Sequence, residues 1–250
     1  MRLVTCLVFL LLAVQRLPAQ LPAADTFPCM SKLRFVVIGS STAAGAGASK
    51  PDSAWVNRYR VFLQALHPAN EVLNLAMGGY SSYQLMPSRT TAPNNRPQPD
   101  PERNITRALS LAPDAIILNL PSNDAASGYS LEEQLANFET IVQQARNAGV
   151  PIWVCSTQPR NFSADKVQIQ LVARDSILRR YGDRAIDVWK GLAEPNGLLR
   201  RRYNSGDGIH LNDAGHRFLF QRVCAQTLSL SLCDRLRVRL RLLLRVFRWS

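Results

Sequence analysis

Arg34-Phe-Val-Val-Ile38 runs straight into Gly39-Ser40-Ser41-Thr42. A short apolar run rich in β-branched residues, with no polar alternation, reads as a strand covered on both faces, the usual state of a strand in a parallel sheet. The Gly-Ser turn behind it then marks the strand's C-terminal end, where open parallel sheets gather their ligands. Four further runs share the pattern: Glu71-Val-Leu-Asn-Leu75, Asp114-Ala-Ile-Ile-Leu118, Pro151-Ile-Trp-Val-Cys155 and Ala185-Ile-Asp-Val188.

Helical patterns separate these runs. Residues 54–66 place Trp55, Tyr59, Phe62, Leu63 and Leu66 on one face. Residues 130–148 open with Ser-Leu-Glu-Glu, which reads as a capping box, and end near Gly149. Residues 164–180 and 212–227 have similar character. Strands alternating with helices require right-handed crossovers, so the expected fold is α/β, a three-layer α/β/α arrangement around a five-stranded parallel sheet. The Pro-rich stretch Pro87 to Pro101 is the one long loop, read as a rim over a site or as a solvated connection. There is no internal repeat.

The chain divides into three parts. Arg2, the apolar run Leu3 to Val14 and the end Leu17-Pro18-Ala19-Gln20 read as a signal peptide over residues 1–20. An apolar run of about 12 residues is short of the roughly 20 that a membrane-crossing helix needs, so a retained anchor is the weaker reading. Residues 21–233 are enough for one domain with a sizeable core. Residues 234–250 form a basic tail in which Arg alternates with aliphatic residues from Arg235 to Leu242. An export signal implies a secreted or periplasmic protein.

Net charge supports the same division. Of the formal +12, two charges lie on Arg2 and Arg16, and five arise from six arginines against Asp234 in the tail, which leaves +5 on residues 21–233. The domain is therefore only mildly basic and no nucleic-acid partner is expected. The tail reads either as an appendage outside the fold or as a membrane-surface segment. In an oxidising compartment Cys29, Cys155, Cys224 and Cys233 can pair. Cys224 with Cys233 is the favoured bridge and Cys29 with Cys155 a second, with Cys155 as a buried free thiol the alternative. No pair has CxxC spacing, Gly45-Ala-Gly47 lacks a following Gly-Lys-Ser/Thr, and neither metal nor cofactor is expected.

The chemical signals come in order: Gly39-Ser40-Ser41, Gly78-Gly79, Pro121-Ser122-Asn123-Asp124 and Asp207-Gly208-Ile209-His210. The first three follow the first three strands. Acyl transfer needs a nucleophile, a base, a carboxylate to orient the base, and donors for an oxyanion, and the chain supplies each. Among the histidines, His216 reads as structural near the start of the last helix and His67 as a helix-end residue, which leaves His210 as base. Asp124 reads as a residue that supports the site from behind or caps a loop, rather than one with a direct role.

In order and spacing these blocks resemble the SGNH, or GDSL, hydrolase superfamily over roughly residues 33–226. That resemblance implies a flavodoxin-like SGNH fold and ester hydrolysis, with Ser41 as nucleophile, His210 as general base and Asp207 orienting it. It implies oxyanion donors in the Ser41 and Gly79 N–H groups and the Asn123 amide. Two residues depart from the family pattern: Ser40 stands where the family has Asp, and Pro121 where it has Gly. The expected substrate is a small-molecule or glycan ester, with O-acetyl groups on carbohydrate preferred. The alternatives are a lysophospholipase or short-chain lipase, and a carbohydrate-binding protein that has lost turnover.

Overall fold

The computed structural model describes residues 32–228. The signal-peptide reading of residues 1–20, the whole tail 234–250, and Cys29 and Cys233 lie outside the described residues. In chain order the elements are β1 (Arg34–Gly39), α1 (Ser41–Ala44), α2 (Trp55–Leu66), β2 (Glu71–Asn74), α3 (Ile105–Ser110), β3 (Ala115–Asn119), α4 (Asn123–Ala126), α5 (Leu131–Asn147), β4 (Ile152–Cys155), α6 (Ala164–Tyr181), β5 (Ala185–Ile186) and α7 (Asp213–Leu228).

The five strands form one parallel sheet in the order β2-β1-β3-β4-β5. Alternate side chains supply two cores. Phe35, Val37, Ile117, Trp153 and Ile186 pack with Trp55, Tyr59 and Leu63 of α2 and Leu219 and Val223 of α7. Val36, Ile38, Ile116, Leu118 and Val154 pack with Ile105 of α3, Phe138 and Ile141 of α5 and Ile177 of α6. Because both faces are covered, the strands contain little but apolar residues, which is why they stand out in the sequence.

Strand ends have local causes. β5 stops at Ile186 rather than running to Val188, because the Asp187 carboxylate is held by Arg174 at 2.6 Å and accepts from the Trp189 N–H at 3.1 Å, turning the chain. β2 stops at Asn74, whose side chain accepts from the Ala76 N–H at 3.1 Å and donates to the Ala43 carbonyl at 2.8 Å. The α5 capping box is complete: Ser130 Oγ accepts from the Glu133 N–H at 3.1 Å, and the Glu133 carboxylate accepts from the Ser130 N–H at 2.9 Å.

The Pro-rich loop is fastened at two places. The Tyr80 hydroxyl donates to Asp100, while Arg96 pairs with Glu133 at 2.8 Å and stacks over the Tyr129 ring at 4.2 Å. Both expected bridges involve a cysteine outside the described residues, Cys233 or Cys29; among the described residues there is no disulfide, and Cys155 and Cys224 are free and buried. Cys155 lies at the end of a central strand, inside the core, and burial pushes its pKa up to about 12. No helix among the described residues is long and apolar enough to cross a membrane.

Ile117 is fully buried at the middle of the sheet, whereas Val61 is 64% exposed on α2. Ile117→Ala is expected to lower unfolding free energy by about 2–5 kcal/mol in urea titrations. Val61→Ala should change it by less than about 0.5 kcal/mol.

Candidate active site

The site begins where β1 and β3 end together. A Cβ on Gly39 would lie 2.1 Å from the Asn119 carbonyl oxygen, so only glycine lets the two strand ends pass this closely. The Ser40 N–H then donates to that carbonyl at 3.1 Å, and the chain turns into α1 with Ser41 as its first residue. Ser41 is thereby lifted onto the C-terminal edge of the sheet.

Asp207 and His210 reach it from a loop before α7. The loop is closed by a bridge between Asn204 and Leu211 and by the Ser205 N–H donating to the His210 carbonyl at 3.0 Å. Inside it, Asn204 Oδ1 accepts from the Gly206 and Gly208 N–H groups at 2.8 and 3.0 Å. Asp207 Oδ2 accepts from His210 Nδ1 at 2.5 Å, and Oδ1 accepts from the Ile209 and His210 N–H groups, each at 2.8 Å. That bond fixes the proton on Nδ1, so Nε2 is left to accept from Ser41 Oγ at 3.0 Å. Partial burial opposes ionisation of Asp207, but the donated bonds and the imidazole outweigh it and hold the carboxyl well below the usual carboxylate range.

The second loop passes beside Ser41. A Cβ on Gly78 would lie 3.9 Å from Ser41 Cβ, and Gly79 adopts φ +84°, a left-handed conformation suited to glycine. Asn123, the first residue of α4, donates one amide hydrogen to the Tyr80 carbonyl at 2.9 Å, which leaves its other hydrogen free to point at a ligand.

Asp124 is fully buried beneath these loops. It accepts from the Ser82 N–H at 3.1 and 3.2 Å and from Ser82 Oγ at 2.5 Å, and Asn137 of α5 donates to the same Oγ at 2.8 Å. The carboxylate therefore ties the Gly79 loop to the Asn123 loop, the capping role read for it. Burial pushes its pKa up to about 6, against the lowering effect of the Ser82 bonds. Ser82 and Asn137 escaped the sequence reading. A loop serine and a polar position on a helix carry no local signal of a bond across 55 residues.

The remaining expectations resolve simply. His216 is buried, accepts from the Trp55 N–H at 3.3 Å and donates to the Ala46 carbonyl at 3.0 Å; burial lowers its pKa, so it is a neutral structural residue. His67 closes α2 and its Nδ1 accepts from the Ala69 N–H at 3.2 Å. Ser40 is buried and its Oγ has no partner among the described residues. Pro121 is buried between β3 and α4. Among the described residues no group of three or more His, Cys, Asp or Glu side chains is arranged to hold a metal ion.

Residues 37–218 match the GDSL-like lipase/acylhydrolase family. Curated proteins give no match. Among solved structures, the chain is similar to a lipolytic protein of the G-D-S-L family from Desulfitobacterium hafniense DCB-2, with 14% identity over 78% of this chain and 99% of that one, at a TM-score of 0.60. It is similar to the psychrotrophic esterase EstA from Pseudoalteromonas sp., with 13% identity over 78% and 97%, at 0.56. It is also similar to a two-domain esterase active on acetylated mannans, with 18% identity over 82% of this chain and 51% of that one, at 0.54. At these identities the likeness is one of fold.

Asp124 binds its proton more tightly in the folded chain than the ordinary value of 3.8, up to about 6. Its contribution therefore favours folding fully below pH 3.8 and is withdrawn as pH rises through about 6. Urea midpoints of the unaltered chain, relative to those of Asp124→Asn, should fall across that window. A flat difference would contradict the assignment. Ser40→Ala removes a buried hydroxyl without a partner, so its melting temperature is expected to be unchanged or slightly raised.

Proposed function

The chain belongs to the GDSL-like lipase/acylhydrolase family and is an ester hydrolase; from that premise we propose that it is exported, works through an acyl-Ser41 intermediate, and removes O-acetyl groups from carbohydrate. One observation carries the mechanism: the unbroken chain of hydrogen bonds from Asp207 through His210 to Ser41, at 2.5 and 3.0 Å.

The steps follow from that chain. Ser41 Oγ attacks the acyl carbon while its proton passes to His210 Nε2, and Asp207 stabilises the resulting imidazolium. The new oxyanion is held by the Ser41 and Gly79 N–H groups and the free hydrogen of the Asn123 amide. As the carbon–oxygen bond to the alcohol breaks, His210 returns the proton to the departing oxygen. A water, deprotonated by the same imidazole, then attacks the acyl-serine and releases the carboxylic acid and free Ser41. Each donor is fixed before substrate arrives: Asn123 by the Tyr80 carbonyl, the Gly79 loop by Ser82 on Asp124.

The preference for carbohydrate acetates is supported by the signal-peptide reading of residues 1–20, since export is compatible with a substrate among extracellular glycans. The shared fold of an esterase active on acetylated mannans agrees with it.

Purified protein is expected to hydrolyse p-nitrophenyl acetate, and Ser41→Ala to reduce that rate to background; equal rates would reject the mechanism. Asn123→Ala should lower kcat by about 10²–10³ with a much smaller change in KM. Acetate release from acetylated glycans, set against fatty-acid release from lysophospholipid, decides between the two substrate classes.

A further inference from the structure

The loop after β4 carries an unpaired cation beside the catalytic loop. Its Asn161 N–H donates to the Gly208 carbonyl at 2.8 Å, and Gln158 Nε2 donates to the Ile209 carbonyl at 3.0 Å. The Asn161 side chain fills the space a Gly208 side chain would need, since a Cβ there would lie 2.7 Å from Asn161 Nδ2. Residues 158–161 and 207–210 are thus one packed unit, and Arg160 sits within it.

The Arg160 guanidinium stands over the Phe162 ring at 4.8 Å, and Lys166 Nζ over the same ring at 5.6 Å. Neither cation has a carboxylate within ion-pair distance among the described residues. The two acidic groups nearby act on these cations only from beyond ion-pair distance: Asp207 is hydrogen-bonded to His210 and two backbone N–H groups, and Asp165 to Ser163 and its own helix end. Arg34, Arg96 and Arg174 by contrast each hold a carboxylate at 2.6–2.8 Å, whereas Arg58, beside Asp213, shares with Arg160 the lack of an ion pair among the described residues. Burial pushes the Arg160 guanidinium below its usual range, with Asp207 opposing that shift. A partly desolvated guanidinium without an anion is costly, and a ligand anion would remove the cost.

The chemistry of the site says which part of the substrate reaches it. His210 returns its proton to the departing alcohol, so the alcohol portion of a bound ester lies toward the Asp207–His210 loop. A group bound at Arg160 belongs to that portion. Guanidinium presents a planar fork that matches a carboxylate, and stacking on Phe162 restricts it in advance.

We propose that Arg160, assisted by Lys166, forms a subsite for a carboxylate on the alcohol part of the ester, so that the substrate is an O-acetylated acidic carbohydrate bearing uronic-acid residues. The proposal rests on the esterase reading above and narrows its substrate class.

Binding tests it apart from turnover. The full chain carrying Ser41→Ala is titrated with a uronic-acid trisaccharide and with its carboxyl-reduced neutral counterpart. The acidic sugar should bind about tenfold more tightly, a preference that falls as sodium chloride is raised. Adding Arg160→Gln should bring the two affinities to within about twofold, whereas Arg160→Lys should keep part of the difference. Equal affinities in the Ser41→Ala chain, or a preference that survives Arg160→Gln, would overturn the subsite. With Ser41 intact, the ratio of kcat/KM for the acetylated acidic and neutral sugars should drop about tenfold in Arg160→Gln; taking the ratio cancels any common loss transmitted through Asp207. Acid-selective binding without hydrolysis of either acetate would reject the esterase reading while leaving the subsite standing.

Discussion

The contact between Gly39 and the Asn119 carbonyl fixes the geometry of everything above the sheet. β1 and β3 are paired in register to their last residues, Gly39 opposite Asn119. Because no side chain separates them there, the loops that follow leave the sheet edge side by side, one carrying Ser41 and the other Asn123. The third loop joins the same edge through the Met77 N–H, which donates to the Gly39 carbonyl at 3.2 Å. The placement of the proposed nucleophile and oxyanion donors is thus a consequence of strand pairing, and only the proposed base arrives from elsewhere. A parallel sheet suits this purpose because all its strands end on one side.

Two carboxylates behind the site show how environment divides labour between like groups. Asp207 is part-exposed and surrounded by donors, so it stays ionised and suits an imidazolium partner. Asp124 is buried with a serine as its main partner, so its charge is disfavoured up to about pH 6 and it serves as a clamp between two loops. Exchanging the environments would orphan the imidazolium in one place and bury an uncompensated charge in the other. The position of each acid relative to solvent, more than its identity, sets its task.

Much of this was legible in the sequence for physical reasons that can be named. Strands buried on both faces must be apolar throughout, and α5 advertised both halves of its capping box. The elements that escaped, α1, α3 and α4, span only 4–6 residues and are held by tertiary contacts, so no periodicity could develop. β5 read too long because Asp187 is compatible with a strand until Arg174, 13 residues earlier on α6, captures it. In the site, the meeting of Ser41, Asp207 and His210 was legible because the blocks that carry them come in a characteristic order along the chain. Ser82 and Asn137 were not, because a bond across 55 residues leaves no local mark. Counting cysteines says nothing about whether a thiol faces the core; Cys155 does, as the buried free thiol that stood as the alternative to pairing.

The two departures from the family pattern have unequal weight. Pro121 lies outside the hydrogen-bonded part of α4, whose first bonds involve Ser122 and Asn123 carbonyls, so a missing N–H there breaks none of them. Ser40 is different: a carboxylate beside the nucleophile has been replaced by a buried hydroxyl that finds no partner among the described residues. The Ser41 turn is nevertheless held by backbone alone, through Ser40 to Asn119 below and through the Ala44 and Ala46 N–H groups on the Ser40 and Ser41 carbonyls at 2.9 Å. Removing a negative charge next to Ser41 also removes a repulsion that an oxyanion, or an acidic substrate, would meet on approach. If Arg160 takes the carboxylate proposed for it, the electrostatics around Ser41 are shifted the same way at two independent positions, toward accepting negative charge.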